Sequence, residues 1–171
     1  MFKKTLLLGA MVMAASLSAS AKEWKEIRVA IDPAYKPFTY KTADGKPTGF
    51  DVKIAQALCD KVKAKCIFVE QQWDAMIPGL MAKKYDTIIS SMSVTEERLR
   101  QVDFTSKYYN TPSKIVVNKS IKSDGSPASL KGKKIGVLKG STQEKYAKGE
   151  LAPAGVNVVG YDAQDQVYLD I

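Results

Sequence analysis

The chain has no histidine, only two cysteines, and just three arginines (Arg28, Arg98 and Arg100) among its 26 Lys and Arg residues. Without histidine there is no Ser–His relay, and the commonest metal-ligating side chain is missing. The two cysteines, Cys59 and Cys66, have no base to activate them, and their spacing matches no zinc or redox motif. Asp51, Asp74 and Asp86 stand where carboxylates cap helices or end turns, and nothing pairs them as acid and base. The reading is a protein that is not an enzyme and needs no cofactor or metal. No apolar run is long enough to span a bilayer comfortably; Leu6 to Ala15, broken by Gly9, falls short of the roughly 20 residues required. The formal charge is +8, but the basic residues are spread along the chain with no interleaved aromatics. That excludes a nucleic-acid binder, and no amphipathic basic helix supports attraction to a membrane face.

What is present at the start is a secretory signal. Lys3 and Lys4 precede the apolar run, and Ala19-Ser20-Ala21 supplies the small-x-small pattern that a signal peptidase reads. Residues 1–21 are therefore expected to be removed, leaving an exported, periplasmic chain with a charge of about +6. In an oxidising compartment Cys59 and Cys66, one near a helix end and one at the next strand, are expected to form a disulfide.

The apolar pattern predicts strands at Ile27–Ile31, Cys66–Val69 and Tyr85–Ser90, with helices at Asp51–Lys63 and Trp73–Lys84 between them. Ile54, Ala55, Leu58 and Val62 form the apolar face of the first helix, with Asp51 as its N-cap. Pro78 fits the first turn of the second. Lys41 to Gly49 is turn chemistry, and Thr95 caps a short helix whose Glu96 and Glu97 suit the dipole. Ser113–Asn118 reads as another strand, followed by a polar connection. A second unit then offers strands at Lys134–Leu138 and Val156–Val159, a helix at Ser141–Lys148, and the start of a helix at Ala163. Alternation of this kind implies a parallel α/β sheet in each unit.

Ile88-Ile89-Ser90-Ser91-Met92-Ser93-Val94-Thr95-Glu96-Glu97-Arg98 carries the clearest chemistry. A buried strand runs into a hydroxyl-rich turn and then into a helix with an arginine in its first turn. Hydroxyls, free backbone N–H groups and a guanidinium fork suit a carboxylate. In a lysine-dominated chain, arginine at this place signals planar, bidentate geometry; an ordinary surface helix is the alternative. Asp32, Trp73, Ser90 to Ser93 and Gly140-Ser141-Thr142 all follow carboxyl ends of predicted strands, where open parallel sheets bind ligands. Four sites from two units thus converge on one cleft.

At these residues the chain resembles the periplasmic amino-acid-binding proteins of ABC importers, in the lysine, arginine, ornithine and histidine branch. The matching pieces are Ile31-Asp32-Pro33-Ala34-Tyr35-Lys36-Pro37-Phe38, Gly49-Phe50-Asp51, Trp73-Asp74-Ala75-Met76-Ile77-Pro78, Asp86 to Ser93, Thr95 to Arg98, and Leu130 to Val137 leading to Gly140-Ser141-Thr142-Gln143. The resemblance implies two α/β lobes joined by a hinge, residues 22–110 forming lobe 1 and residues 111–171 the hinge and part of lobe 2. It implies that Arg98 grips the α-carboxylate of a basic amino acid or a related opine, aided by Ser91, Ser93 and the Thr142 N–H. Tyr35 and Trp73 would flank the ligand stem, Asp32 would pair with its cationic head, and Ser90 would touch a side-chain nitrogen. Each has a structural alternative: Trp73 and Tyr35 as core aromatics, Asp32 as a turn former before Pro33, Ser141 as a helix cap with Glu144. The implied partner is a membrane permease, and the receptor a monomer.

The resemblance also implies a longer chain. Family members complete the second lobe and cross back to the first, and the acidic residue that binds the ligand's α-ammonium lies beyond Ile171. The chain reads as C-terminally truncated, with the second lobe and return segment incomplete. A short form that binds poorly, a non-binding fragment and a dehydratase-like enzyme on the same fold are the competing readings; a catalytic base in the cleft would mark the last.

Overall fold

The computed structural model describes residues 24–171, so the expected signal peptide lies outside the described residues. Strand β1 (Glu26–Ile31) is followed by the short antiparallel pair β2 (Tyr40–Lys41) and β3 (Pro47–Thr48), then α1 (Phe50–Lys61) and β4 (Lys65–Glu70). A single 3-10 turn, Trp73–Ala75, leads into α2 (Met76–Met81), β5 (Thr87–Ile88) and α3 (Glu96–Leu99). The remainder comprises α4 (Pro127–Leu130), β6 (Lys134–Leu138), α5 (Thr142–Tyr146) continued by a π turn, β7 (Asn157–Tyr161) and α6 (Gln164–Leu169). The first sheet has the order β4-β1-β5 and is parallel throughout; β6 and β7 form a second, separate parallel pair. Parallel strands joined through helices are what the sequence alternation predicts.

Each sheet has its own core. Val29 and Ile31 of β1 pack with Val52 and Ala55 of α1, flanked by Ile27, Phe68 and Ile89. Leu130, Val137, Ala147, Leu151 and Val156 form the second, with Ile135 and Val158 against it. Arg28 uses its planar fork on Asp86, Nη2 to Oδ1 at 2.9 Å and Nε to Oδ2 at 3.1 Å, which pins β1 to the start of β5. Cys59 and Cys66 are disulfide-bonded, with Cα atoms 5.8 Å apart, as expected for the end of α1 and the start of β4.

Several boundaries differ from expectation, each for a nameable reason. Helices α1 and α2 stop short of Lys63 and Lys84 because Lys63 (φ +57°) and Lys83 (φ +58°) turn left-handed. Ala64 N–H reaches back to the Cys59 carbonyl and Lys84 N–H to that of Gly79, closing both ends as glycine-free Schellman motifs. Asp51 is not an N-cap. Gly49 holds that position at φ +121°, and the Phe50 and Asp51 N–H groups donate to the Pro37 and Phe38 carbonyls. With backbone acceptors in place, no capping side chain is needed. Ser113–Asn118 forms no ladder: it is exposed apart from Val117, and among the described residues no strand lies beside it. Leu58 and Val62, expected in the core, stand on an open apolar groove of about 340 Å³ with Trp24 and Ile27, while Val52 and Cys59 take the buried positions.

Candidate functional site

The carboxyl ends of β1, β4, β5 and β6 deliver their loops to one cleft of about 1000 Å³. All nine residues singled out from the sequence line it: Asp32, Tyr35, Trp73, Ser90, Ser91, Ser93, Arg98, Ser141 and Thr142. Their convergence follows from topology, because parallel strands present the same end to the same side.

Asp32 follows β1 directly and is 6% exposed. Its N–H donates to Ser90 Oγ at 3.1 Å, tying the β1 and β5 loops together. Its carboxylate accepts one bond, from Ala34 N–H at 3.0 Å. Burial pushes the Asp32 carboxyl above its usual range, the Ala34 bond opposes this, and the charge of Asp165 adds to the rise. Among the described residues no cation is paired with this carboxylate, and a cationic group entering the cleft would relieve the cost of its burial.

Arg98 is buried in the first turn of α3, whose N-cap Thr95 accepts from the Arg98 N–H as expected. Its fork is partly used: Nη1 donates to the Ser93 carbonyl at 2.8 Å and Nη2 to the Gly140 carbonyl at 3.0 Å. The guanidinium lies 5.4 Å from the Trp73 ring centroid. The cation stacked on Trp73 is thus Arg98 itself. Burial pulls the Arg98 pKa down, against the raising influence of Glu97, yet a guanidinium remains charged at any physiological pH.

Ser141 caps α5 through Glu144 N–H at 3.0 Å, and the Glu144 carboxylate accepts from Gly140 N–H at 2.8 Å. This is a capping box whose return bond lands one residue early. Thr142 then occupies the first helical position, where a backbone N–H has no acceptor within the helix. Gln143 Nε2 donates to Ser113 Oγ at 2.8 Å across the cleft mouth.

Ser91 lines the cleft and is also held from within the protein. Its hydroxyl donates to Asp51 Oδ2 at 2.7 Å and accepts from Tyr109 OH, and its φ is +55°. Sequence reasoning passed over Tyr108 and Tyr109. Tyr109 stacks on Phe38 with centroids 5.1 Å apart, and Phe38 stacks on Tyr35 at 5.5 Å, so an aromatic floor extends from the cleft towards α1. The signal was available: Tyr108-Tyr109 is an adjacent aromatic pair within a polar, strandless stretch.

In sequence the chain is 49% identical over 170 residues to the L-arginine-binding protein of Pseudomonas aeruginosa, covering 99% of this chain and 65% of that protein. It is 43% identical over 171 residues to the histidine-binding periplasmic protein of Salmonella typhimurium, covering 99% of this chain and 66% of that one. In structure it resembles an ancestral arginine-binding protein bound to arginine, with a TM-score of 0.83 and 37% identity, over 86% of this chain and 66% of that one. The chain therefore spans about two thirds of the length of the curated relatives it matches, each of which is named as a binding protein. The match to the bacterial extracellular solute-binding proteins, family 3, runs over residues 27–152, from β1 through α5, and the chain belongs to that family.

Proposed function

We propose that this chain is the ligand-capturing part of an exported receptor that binds a basic amino acid in a cleft between two lobes and hands it to the membrane permease of an ABC importer. In this reading residues 1–21 direct export to the periplasm and are removed, residues 22–110 form lobe 1, and residues 111–171 the hinge and part of lobe 2. Arg98, with a free edge of its fork, holds the ligand's α-carboxylate together with Ser93 and the Thr142 N–H. Tyr35 and Trp73 flank the aliphatic stem, and Ser90 and Asp32 meet its cationic end.

The observation that carries the proposal is Asp32: a buried carboxylate in the cleft whose one hydrogen bond among the described residues comes from a backbone N–H. A neutral ligand would leave it uncompensated; a guanidinium or ammonium supplies the missing charge. The relatives named for arginine and histidine support the ligand class. Arginine suits the site best, since its planar fork matches a carboxylate.

A thermal melt with arginine, lysine, ornithine, histidine and, as a neutral control, glutamine tests this. A ligand that binds only the native state at a hundredfold excess over its Kd stabilises it by about 2.7 kcal/mol. The transition is expected to rise with arginine and not with glutamine. Equal shifts with both would overturn the basic-ligand assignment.

A further inference from the structure

Asp51 is 0% exposed, yet no cation is paired with it among the described residues. Its carboxylate accepts from two hydroxyls, Ser91 Oγ to Oδ2 at 2.7 Å and Tyr108 OH to Oδ1 at 3.0 Å, and also from the Ser91 backbone N–H. A buried carboxylate is an expensive way to fill space, and an apolar residue at that point of α1 would serve packing better. What the carboxylate does is local. It draws the one proton of the Ser91 hydroxyl inward, while Tyr109 OH donates to the same oxygen from the other side. Ser91 is a non-glycine residue at φ +55°, a conformation that surrounding contacts must hold. On its other flank Ser90 Oγ is fixed by the N–H of Asp32. The turn between β5 and α3 is thus clamped from β1 and from α1 at adjacent residues.

We propose that Asp51 is a positioning residue for ligand binding: through the Ser91 hydroxyl it holds the Ser90–Ser93 turn in the shape that faces the cleft. The inference rests on the receptor reading above for what the turn contacts, though not for how it is held. It assigns a task to the Gly49-Phe50-Asp51 motif that a helix cap does not explain. Gly49 lets the chain pass the Phe38 carbonyl, and Asp51 is thereby set inward, towards Ser91.

The test uses the full chain as wild type, Asp51→Asn, Ser91→Ala and the double variant, with arginine affinity by calorimetry and ligand-free amide hydrogen exchange. Each single variant is expected to weaken arginine binding about tenfold, and the double variant by no more than either, the non-additivity of residues acting as one unit. Exchange at residues 90–93 should quicken in Asp51→Asn and Ser91→Ala, with β1 and β6 unchanged. Full arginine affinity in Asp51→Asn, even with a lowered melting temperature, would mean packing alone and overturn the proposal; so would multiplying losses in the double variant. If Asp51→Asn does not fold, Ser91→Ala decides, because wild-type exchange at residues 90–93 in that variant also overturns it. If wild type binds no arginine, the receptor reading fails by itself, while the exchange comparison still decides whether Asp51 holds the turn.

Discussion

The Arg98 guanidinium donates to the carbonyl of Gly140, 3.0 Å away and 42 residues along the chain. One side chain therefore links the α3 turn of the first sheet to the β6–α5 turn of the second, while its flat face rests on Trp73. In the proposed receptor the group that reads the ligand's carboxylate also reads closure of the cleft.

Arg98→Lys should separate charge from geometry. A lysine keeps the positive charge but cannot bond the Ser93 and Gly140 carbonyls and a carboxylate in one plane. Arginine affinity is expected to fall about a hundredfold, or roughly 2–3 kcal/mol, as measured by calorimetry, with the ligand-free fold intact by circular dichroism.

Asp32→Asn should trade function for stability. Removing a buried, under-partnered charge raises the ligand-free melting temperature at neutral pH, and removes the cation's partner at a cost to binding of about 2–5 kcal/mol. A variant that keeps wild-type arginine affinity would take Asp32 out of the ligand site.

The same residue sets a pH dependence of definite sign. Burial raises its folded pKa above the unfolded value of about 3.9, so the folded state holds the proton more tightly. Its contribution to ligand-free stability is full below the unfolded pKa and is lost as pH rises through the folded one. Arginine affinity runs the other way, because binding needs the ionised form, and weakens as pH falls through the ligand-free pKa. Denaturation and titration between about pH 7 and pH 4, wild type minus Asp32→Asn, isolate this group from the other carboxylates.

Gly49→Ala tests the entry to α1. Glycine there sits at φ +121°, and an added Cβ would overlap the Phe38 carbonyl, which is backbone and cannot swing aside. A loss of about 2–4 kcal/mol is expected in urea denaturation.

Replacing both Cys59 and Cys66 by alanine opens a loop with a sequence separation of 7. The short loop limits the effect to about 2–3 kcal/mol in the chain-entropy picture. The bond joins the end of α1 to the start of β4, away from the cleft, so arginine affinity should change less than twofold.

Much of the site was legible because its residues follow strand ends and carry type-specific chemistry: Asp32 after β1, Ser90 after β5, Ser141 with Glu144 at a helix start. What was hidden depends on partners remote in sequence. Nothing near Lys63 or Lys83 marks a left-handed turn, since glycine, the usual sign, is missing from both. Asp51 looks like a cap until Pro37 and Phe38 are seen to satisfy its helix. Ser113–Asn118 has a strand's residues, but a strand also needs a neighbour, which composition does not announce.

β1 comes first among the described strands yet lies at the middle of its sheet, with both neighbours parallel to it. Parallel neighbours cannot be joined by a tight hairpin, so this sheet has no local seed. Glu26 must wait for Lys65, and Val29 for Thr87; such long closures are made before any contact rewards them, which slows folding. The recognition loops hang from these strand ends and take shape only when both ladders have closed. A chain ordered in this way stays open long after its first strand is made, which is compatible with the export proposed above, where threading through a membrane precedes folding.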